Sequence, residues 1–331
     1  MAMQEESIEQ LMASFHGVRV LIVGDVMVDN YIIGKVDRVS PEAPVPVVDV
    51  SRFDSRLGGA GNVALNLKAL GAIPVLCSAI GKDKEGDDLC KLMEDAEMTT
   101  RALLASDKRK TTTKTRVLGN NHQLLRIDHE VKDDLDKLDS FLLEEHFVRE
   151  LDQADVVIFE DYNKGVLHGL NIEHFLTLCQ ESGIPTVVDP KKSNFLSYKR
   201  ATLFKPNLKE IREGLNLNGA LQTLDEIRQA VQELNSVLHN QATMVTLSEK
   251  GVYIHHQEEE HHLSAHVRNI ADVSGAGDTV VSVAALCLAK KCPWNRLAAL
   301  SNLAGGLVCE ETGVVPIHAE RLLAEAQRVG I

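Results

Sequence analysis

Apolar residues along the chain fall into short continuous runs, and between the runs they recur at helical spacing. The first run, Val18–Val23, is apolar at every position except Arg19. A strand of this composition is typical of a parallel sheet that is buried on both faces. Later runs predict further strands of the same kind, at Ile73–Ile80, Val156–Phe159, Thr186–Val188, Ala201–Phe204 and Thr243–Leu247.

The stretches between many of these runs predict helices, at Asn62–Leu70, Asp87–Met93, Leu135–Leu151, Ile172–Cys179 and Leu224–Leu238. Two further helices, Gly277–Lys290 and Trp294–Glu310, are predicted towards the end of the chain. This alternation is typical of a doubly wound α/β fold, with helices on both faces of a mostly parallel sheet. No repeat or long linker divides the sequence, so we expect residues 1–331 to form one domain.

Two stretches do not fit the alternation. Tyr31–Phe53 predicts short extended pieces interrupted by three prolines, and Thr111–Asp128 predicts a hairpin that turns at Gly119, Asn120 and Asn121. Neither belongs in a parallel sheet. We therefore predict that residues 31–53 and 111–128 form a small β-lid over a site on the main domain.

Composition and charge limit the kinds of molecule that the protein is expected to bind. The net charge of −13 argues against nucleic acid and anionic membranes, because both require a basic surface. The acidic, polar N-terminus is unlike a signal peptide, and no apolar run approaches the roughly 20 residues of a membrane span. The six cysteines form no C-x-x-C pair, as expected of reduced thiols. We expect a soluble, cytoplasmic protein.

The segment Asp272–Thr279 gives the sharpest chemical signal. Gly275 and Gly277 precede an apolar helical run, and glycines there let backbone N–H groups converge on an anion at the positive end of a helix. Asp278, at the helix start, can accept the proton of a hydroxyl that attacks a phosphoryl group. The alternative is that Asp278 only stabilises the helix dipole.

A second glycine-rich segment contains Gly58, Gly59 and Gly61 and leads through Asn62 into a predicted helix. Glycines let a polyhydroxy ligand approach the backbone, and the Asn62 amide can donate to and accept from its hydroxyls. The alternative is a tight turn before an ordinary amphipathic helix. This motif is evidence for a ligand site only together with the other motifs.

These two segments, in this order, resemble the two signatures of the PfkB, or ribokinase-like, carbohydrate kinases, and the resemblance covers nearly the whole chain. It implies an ATP-dependent sugar kinase that uses Mg²⁺. Asp278 would be its catalytic base, and Gly275, Ala276 and Gly277 would form the anion hole. The resemblance also implies a homodimer, because lids in this family often pair.

The resemblance implies two ion sites. Asn207 and Glu210 match the family motif N-x-x-E, which acts on magnesium through water. Potassium would lie beside the anion hole, at Asp272 and the backbone near Ser274 and Gly313.

The resemblance also implies a nucleotide site. The family pattern T-x-x-x-x-G is present from Thr246 to Gly251 and includes Ser248. Asn302 matches a family asparagine that lies near adenine.

Five segments are similar to one branch of the family, the D-glycero-β-D-manno-heptose 7-phosphate kinases: Gly24–Gly34, Arg38–Val47, Thr113–Arg116, Gln123–Asp128 and Asp161–Gly165. The similarity implies phosphorylation at C1, giving the 1,7-bisphosphate for ADP-heptose and lipopolysaccharide cores. It also implies that Asp161 is a substrate residue. Glu160 departs from the branch, which favours a small residue there.

Physical chemistry supports a site for a sugar phosphate. Asp25 and Asp29 follow the first strand, at the carboxyl edge where such sheets bind ligands, and their carboxylates suit sugar hydroxyls. Lys114, Arg116 and Arg126 in the lid would supply positive charge for a phosphate. The alternative for these three residues is a solvated β-face.

Other functions stay open at this stage. The chain lacks the P-loop and the G-x-G-x-x-G fingerprint, so the rivals are a PfkB kinase for another sugar or a nucleoside, and a non-catalytic sugar sensor. Many relatives carry a nucleotidyltransferase with an H-x-G-H motif, which is absent here, so we expect that activity on another polypeptide. We interpret the histidine cluster as surface residues of a hairpin with its turn at Gln257–Glu260, and not as a metal site: His255, His256, His261, His262 and His266.

Overall fold

The structure is a computed structural model that describes residues 6–120, 122–266 and 268–331. Its strands are β1 (Arg19–Gly24), β2 (Val26–Val39), β3 (Pro46–Gly59), β4 (Ile73–Gly81), β5 (Leu103–Ser106), β6 (Thr113–Gly119), β7 (His122–His129), β8 (Val156–Glu160), β9 (Thr186–Asp189), β10 (Leu203–Phe204), β11 (Ala242–Thr246), β12 (Val252–His256) and β13 (Glu259–Leu263). Its helices are α1 (Ile8–Ser14), α2 (Ala60–Ala69), α3 (Lys84–Asp95), α4 (Lys137–Leu151), α5 (Gly169–Glu181), α6 (Leu208–Gly214), α7 (Leu224–Leu238), α8 (Ala276–Ala289), α9 (Trp294–Val308) and α10 (Ala319–Val329).

Within these described residues, the larger sheet has nine strands in the order β13-β12-β11-β10-β9-β8-β1-β4-β5. In this spatial order, the strands from β11 through to β5 are all parallel. Strand β12 is antiparallel to β11, and β13 is antiparallel to β12. Along the chain, β4 and then β5 are added on one side of β1, and the next strand of this sheet, β8, is added on the other side of β1. This reversal creates a crevice between the carboxyl ends of β1 and β8, which is where such sheets bind ligands. The predicted α/β class is confirmed.

The core lies on both faces of this sheet. Val20 and Ile22 of β1 pack in one apolar cluster with α2, α8 and α9, while Leu21 and Val23 pack in a second cluster with α4, α5 and α7. All four side chains are almost completely buried. The first strand is continuously apolar because successive side chains of a strand point to opposite faces, and here both faces are covered.

The lid is a separate sheet in the order β3-β2-β6-β7. Strands β2 and β3 pair antiparallel from Val26 opposite Gly59 to Val39 opposite Pro46, and β2 also pairs parallel with β6. The predicted short pieces are therefore two long strands, because the prolines lie at the tip of the hairpin and at the first position of an edge strand, where Pro is tolerated. The predicted hairpin of β6 and β7 is confirmed on both arms; Asn121 of its turn lies outside the described residues.

Several elements were not predicted from the sequence, including the short helix α1, the edge strand β5 and the C-terminal helix α10. The histidine-rich hairpin is present as β12 and β13, but its turn is at Gln257 and Glu258, because Glu259 and Glu260 pair with His256 and His255. None of the helices in the described ranges combines the length and apolar character that a membrane span requires.

Candidate active site

Charged and polar side chains collect where the parallel strands end. Because the carboxyl ends of parallel strands meet at one edge of a sheet, residues far apart in sequence become neighbours there. The residues that end or follow these strands are Asp25 after β1, Glu160 and Asp161 at β8, Asp189 at β9, Lys205 after β10 and Thr246 at β11. Helix α8 begins above this edge and brings Asp278 to it.

Asp278 lies in the first turn of α8 and is buried. Its Oδ2 accepts a hydrogen bond from Nδ2 of Asn62 at 2.7 Å, and its Oδ1 accepts one from the hydroxyl of Tyr162 at 2.7 Å. Burial raises the pKa of Asp278 to about 6, although the hydrogen bonds from Asn62 and Tyr162 act in the opposite direction. A carboxylate with this pKa is ionised at neutral pH and is a stronger base than an exposed aspartate.

The turn before α8 has the geometry of an anion site. Gly275 is the N-cap of α8 with φ of 80°, in the left-handed region that glycine favours, and a β-carbon there would lie 2.9 Å from Nδ2 of Asn62. The first N–H groups of a helix have no acceptor within the helix. The N–H of Ala276 donates to the carbonyl oxygen of Val273 at 3.4 Å, and a β-carbon on Gly277 would lie 3.7 Å from Nζ of Lys205. The turn and a buried lysine thus lie together.

The glycine-rich segment at the start of α2 brings Asn62 into contact with Asp278. Gly59 has φ of 57°, and a β-carbon there would lie 2.6 Å from the carbonyl oxygen of Asp25. A β-carbon on Gly58 would lie 2.2 Å from Oδ2 of Asp29. The Asn62 amide contacts Asp278, and the sequence did not indicate this contact. The roles of Gly58, Gly59 and Asn62 towards a sugar stay predictions.

Two lysines balance part of the negative charge at this edge. Nζ of Lys205 lies 2.9 Å from Oδ2 of Asp189, and Nζ of Lys191 lies 2.9 Å from Oε1 of Glu210. Burial opposes the charged form of Lys205, but Asp189 and Glu210 together raise its pKa above the usual range. Sequence analysis missed Lys191, Lys205 and Asp189. Their signal was present, since each lies directly after a buried strand or within two residues of its end.

Asp25 and Asp161 hold the loop that follows β8. Asp25 is buried, and its carboxylate accepts hydrogen bonds from the backbone N–H groups of Tyr162, Lys164 and Val166. Burial raises the pKa of Asp25. The structure therefore shows a loop-organising role for Asp25, which the sequence did not indicate.

Asp161 also accepts a hydrogen bond from this loop, from the N–H of Asn163 to its Oδ1 at 2.7 Å. Its Oδ2 accepts from Asn194 Nδ2 at 3.0 Å and from the hydroxyl of Tyr198 at 2.9 Å, and burial raises its pKa to about 6. Whether Asp25 and Asp161 also contact a substrate stays a prediction.

The lid cations differ in their surroundings. Nη1 of Arg116 lies 2.5 Å from Oδ1 of Asp29, and both oxygens of Asp128 accept from the exposed Arg126. Lys114 is half-buried with its Nζ 5.6 Å from the centre of the Tyr162 ring, and it forms no ion pair within the described ranges. Burial lowers the pKa of Lys114. Of these three cations, Lys114 is thus the one without an acidic partner among the described residues, and it lies over the ring of Tyr162.

Asn207 and Glu210 form a reciprocal cap at the start of α6. Oδ1 of Asn207 accepts from the Glu210 N–H, and Oε2 of Glu210 accepts from the Asn207 N–H at 2.8 Å. The N-x-x-E pattern therefore has a structural role as a capping box. Asn207 also bridges to Thr246 of β11, so the two motifs assigned to Mg²⁺ and nucleotide are neighbours.

The remaining predicted nucleotide residues lie around the turn between β11 and β12. Ser248 and Gly251 have φ of 55° and 93°, and a β-carbon on Gly251 would lie 1.9 Å from the carbonyl oxygen of Leu263. Asn302 of α9 donates from Nδ2 to the carbonyl oxygen of Ser264 at 3.0 Å. Gly251 and Asn302 thus both lie against the segment Leu263–Ser264, while their role towards a nucleotide stays a prediction.

Asp272 ties two loops together beside the α8 turn. Its Oδ1 accepts from the N–H and hydroxyl of Ser274, and its Oδ2 accepts from the N–H of Gly313 at 3.0 Å. The three residues named for a potassium site are therefore adjacent.

The histidines of the β12–β13 hairpin do not converge on a common point. His255 hydrogen-bonds Asn235, His262 hydrogen-bonds the carbonyl oxygen of Lys250, and His256 stacks on Trp294 with ring centres 4.9 Å apart. Across the described part of the chain, the residues that could share a metal ion are Glu160, Asp189 and Asp278.

A model of the pfkB family of carbohydrate kinases matches residues 18–320. The chain belongs to this family. A D-beta-D-heptose 7-phosphate kinase of Bordetella bronchiseptica is 40% identical over 309 residues, which are 93% of this chain and 96% of that protein. The bifunctional protein HldE of Syntrophotalea carbinolica is 37% identical over 323 residues, and the match spans 97% of this chain but only 65% of that relative.

The pfkB assignment agrees with the fold. The crystal structure of phosphofructokinase-2 from Escherichia coli in complex with potassium superimposes with a TM-score of 0.77, at 20% sequence identity, over 95% of this chain and all of that one. At this identity the likeness concerns the fold alone.

Proposed function

We propose that the protein transfers the γ-phosphoryl group of ATP to the C1 hydroxyl of D-glycero-β-D-manno-heptose 7-phosphate. The products would be ADP and the 1,7-bisphosphate, which leads to ADP-heptose for lipopolysaccharide cores. The observation that carries the proposal is Asp278, a buried carboxylate with a raised pKa in the first turn of a helix that opens with a glycine turn. The name of the Bordetella relative supports the choice of substrate.

In the proposed reaction the C1 hydroxyl lies against Asp278 and attacks the γ-phosphorus in line. Asp278 accepts the hydroxyl proton as the new O–P bond forms and the bond to the β-phosphate oxygen breaks, leaving ADP. The N–H groups of the Gly275–Gly277 turn and the ammonium of Lys205 face the transferring group and stabilise its charge. Rate should therefore rise with pH through about 6, as Asp278 loses its proton.

The phosphate that the sugar already carries would bind to cations of the lid. A dianion on a protein with a net charge of −13 needs local cations, and Lys114 is half-buried, close to Tyr162 and free of an acidic partner within the described residues. Arg116 and Arg126 are paired with Asp29 and Asp128, so each would have to share its charge with the substrate. Lys114 is therefore the principal phosphate contact of the proposal.

ATP and Mg²⁺ are assigned to the segments beyond the anion turn. Thr246, Ser248, Gly251 and Asn302 would contact the nucleotide. The donors nearby are carboxylate and amide oxygens, a set that suits Mg²⁺, and Glu210 would act on it through water. The bound ion would neutralise charge on the phosphate oxygens of ATP.

Potassium would lie at Asp272, where Ser274 and Gly313 converge on its carboxylate. The phosphofructokinase-2 structure with potassium supports this assignment. Faster turnover in KCl than in NaCl at equal ionic strength would support it, and equal rates would count against it.

A homodimer that pairs through the lid is also part of the proposal. The lid strands and the tip of their hairpin expose large apolar side chains, which a second copy would cover: Val39, Val45, Val50, Phe53, Leu125 and Ile127. A cytoplasmic location is also proposed, and the six free cysteines are compatible with a reducing compartment. Nucleic acid and membrane are not proposed as partners.

A coupled assay of ADP release tests the function. The acceptors are the heptose 7-phosphate, the same heptose without phosphate, fructose 6-phosphate, ribose and a nucleoside. We expect the highest kcat/KM with the heptose 7-phosphate. A faster reaction with another acceptor would reassign the substrate within the family, and no ADP release with any acceptor would indicate a sugar sensor.

Asp278→Asn provides the second arm of this test. It should lower kcat by at least about 10²-fold, because the amide cannot accept the proton. Glu320→Gln is the matched control, since Glu320 is an exposed first-turn carboxylate of α10, and it should leave kcat unchanged. Near-normal turnover by Asp278→Asn would remove Asp278 from the mechanism.

A further inference from the structure

Two neighbouring strands of the large sheet end on carboxylates. Glu160 ends β8 and Asp189 ends β9, and they are registered partners in the parallel ladder. Side chains at registered positions of adjacent strands point to the same face, with the strands about 4.8 Å apart. Asp278 faces both from α8. One carboxylate oxygen of each of the three residues lies within 4.8 Å of the others.

Glu160 has no direct hydrogen-bond or ion-pair partner in the described structure, and Lys191 and Lys205 act on it only from a distance. Its side chain is completely buried, with an exposed fraction of 0%, and neither carboxylate oxygen has a hydrogen-bond partner in the part of the chain described. Burial first, and then the proximity of Asp189 and Asp278, raises the pKa of Glu160 well above its usual range. An uncompensated buried carboxylate is costly, so a positively charged ligand would bind here favourably.

The fixed charges around this group do not balance. Lys205 pairs with Asp189, and Lys191 pairs with Glu210, each at 2.9 Å. No ammonium within the described ranges lies in ion-pair distance of Glu160. Two ammonium groups thus lie among four carboxyl groups: Glu160, Asp189, Glu210 and Asp278. A divalent cation would supply a positive charge in direct contact with Glu160, which neither lysine does.

We propose that Glu160, Asp189 and Asp278 bind one divalent cation, Mg²⁺ or Mn²⁺, in the absence of nucleotide. Carboxylate oxygens are the ligands that such hard cations prefer, and the spacing of the three groups allows one ion to contact all of them. This site is distinct from the N-x-x-E position. Glu210 is not part of the group of carboxylates whose oxygens lie within 4.8 Å of one another.

The proposal does not depend on the reaction, so it is tested without ATP or sugar. Mn²⁺ is titrated into the full chain at about 0.15 M KCl, where exposed acidic groups are screened, and free Mn²⁺ is measured by electron paramagnetic resonance. We expect one site per chain. Glu160→Gln should weaken binding by at least about tenfold, because it removes a charged ligand and keeps the shape of the side chain.

The matched control is Glu150→Gln. Glu150 of α4 is also a buried glutamate, but its carboxylate is paired with Arg101 and lies outside the site. The Glu150→Gln variant should bind Mn²⁺ with the same affinity as the wild type. Glu160→Ser is a second variant, which removes both carboxylate oxygens. It should weaken Mn²⁺ binding at least as much as Glu160→Gln does.

Thermal unfolding separates loss of the site from loss of the fold. In EDTA, Glu160→Gln should melt at or above the temperature of the wild type, since it replaces a buried carboxyl group without a hydrogen-bond partner by an uncharged amide of the same shape. Mn²⁺ should raise the Tm of the wild type and leave that of the variant unchanged. Equal Mn²⁺ affinity of wild type and Glu160→Gln would overturn the proposal. So would a wild type with no site tighter than about 1 mM.

Discussion

The hydroxyl of Tyr162 offers a direct test of how the proposed base is tuned. It donates to Oδ1 of Asp278 at 2.7 Å in a buried environment. Two ammonium groups lie over the Tyr162 ring, with Nζ of Lys114 and of Lys191 at 5.6 Å and 5.2 Å from its centre. Tyr162→Phe deletes the hydroxyl and keeps the ring, so the contacts of both lysines should persist.

The size of the effect follows from this hydrogen bond. A bond to a charged group contributes about 1.5–3 kcal/mol, and one pKa unit corresponds to about 1.4 kcal/mol. Tyr162 donates to the ionised form of Asp278, so losing the bond should raise the pKa from about 6 by about one to two units. At pH 7 the ionised fraction would fall from about nine tenths to between about one half and one tenth.

The assay is the pH dependence of kcat/KM for the acceptor from pH 5 to 9, at saturating MgATP. Activity of the wild type should rise through a midpoint near 6, and activity of Tyr162→Phe should rise through about 7–8. The two curves should approach each other at high pH, where Asp278 is ionised in both. Tyr253→Phe is the matched control, since that hydroxyl donates to Glu260 in the β12–β13 hairpin, and its profile should match the wild type.

A midpoint that does not move in Tyr162→Phe would refute the reasoning. An equal loss of rate at every pH would do the same, because it would indicate that Tyr162 acts on substrate binding or on structure. In either case the proposed role of Asp278 would still be decided by Asp278→Asn.

Two further predictions concern the lid. Lys114→Ala should raise the KM for the sugar phosphate about ten- to a hundredfold, because a charge-assisted contact to phosphate contributes about 1.5–3 kcal/mol, with little change in the KM for ATP. Lys35→Ala, in an exposed part of the same sheet, should change neither KM; equal effects of the two variants would contradict the assignment. Phe53 is 74% exposed, and Phe53→Asp should convert a dimer into monomers in sedimentation velocity, whereas a wild type that sediments as a monomer would exclude the lid dimer.

The sequence determined the main domain well. Helix α7, Leu224–Leu238, is predicted at both ends, because its apolar periodicity is strong and Thr223 and Glu226 form a capping box. The strand β1 is predicted to within one residue at each end. Continuous apolar runs identify strands that are buried on both faces whatever their neighbours are.

The sequence determined the lid only in part. The hairpin of β6 and β7 is predicted on both arms, but Tyr31–Phe53 is predicted as short pieces where β2 and β3 are long strands. Much of this sheet is exposed, so its apolar pattern is weak. The continuity of β2 depends on its pairing with β6, about 80 residues later in sequence, which local patterns do not encode.

The sequence also predicted the glycine turn and the first-turn aspartate of α8, because glycines before a helix and an aspartate at its start are local features. The structure places Gly275 and Asp278 as predicted, while their catalytic roles stay predictions. The partners of the base were decided by tertiary structure alone, since Asn62 arrives on α2 and Tyr162 on the loop after β8.

Tertiary structure also decided which charged side chains have a partner of opposite charge. From sequence, Lys114, Arg116 and Arg126 are equivalent cations of one hairpin, but pairing with acidic neighbours leaves only Lys114 uncommitted among them. Glu160 is one charge among many in the sequence. It becomes a candidate metal ligand because parallel strands end together at one edge and bring Asp189 beside it in a place from which water is excluded.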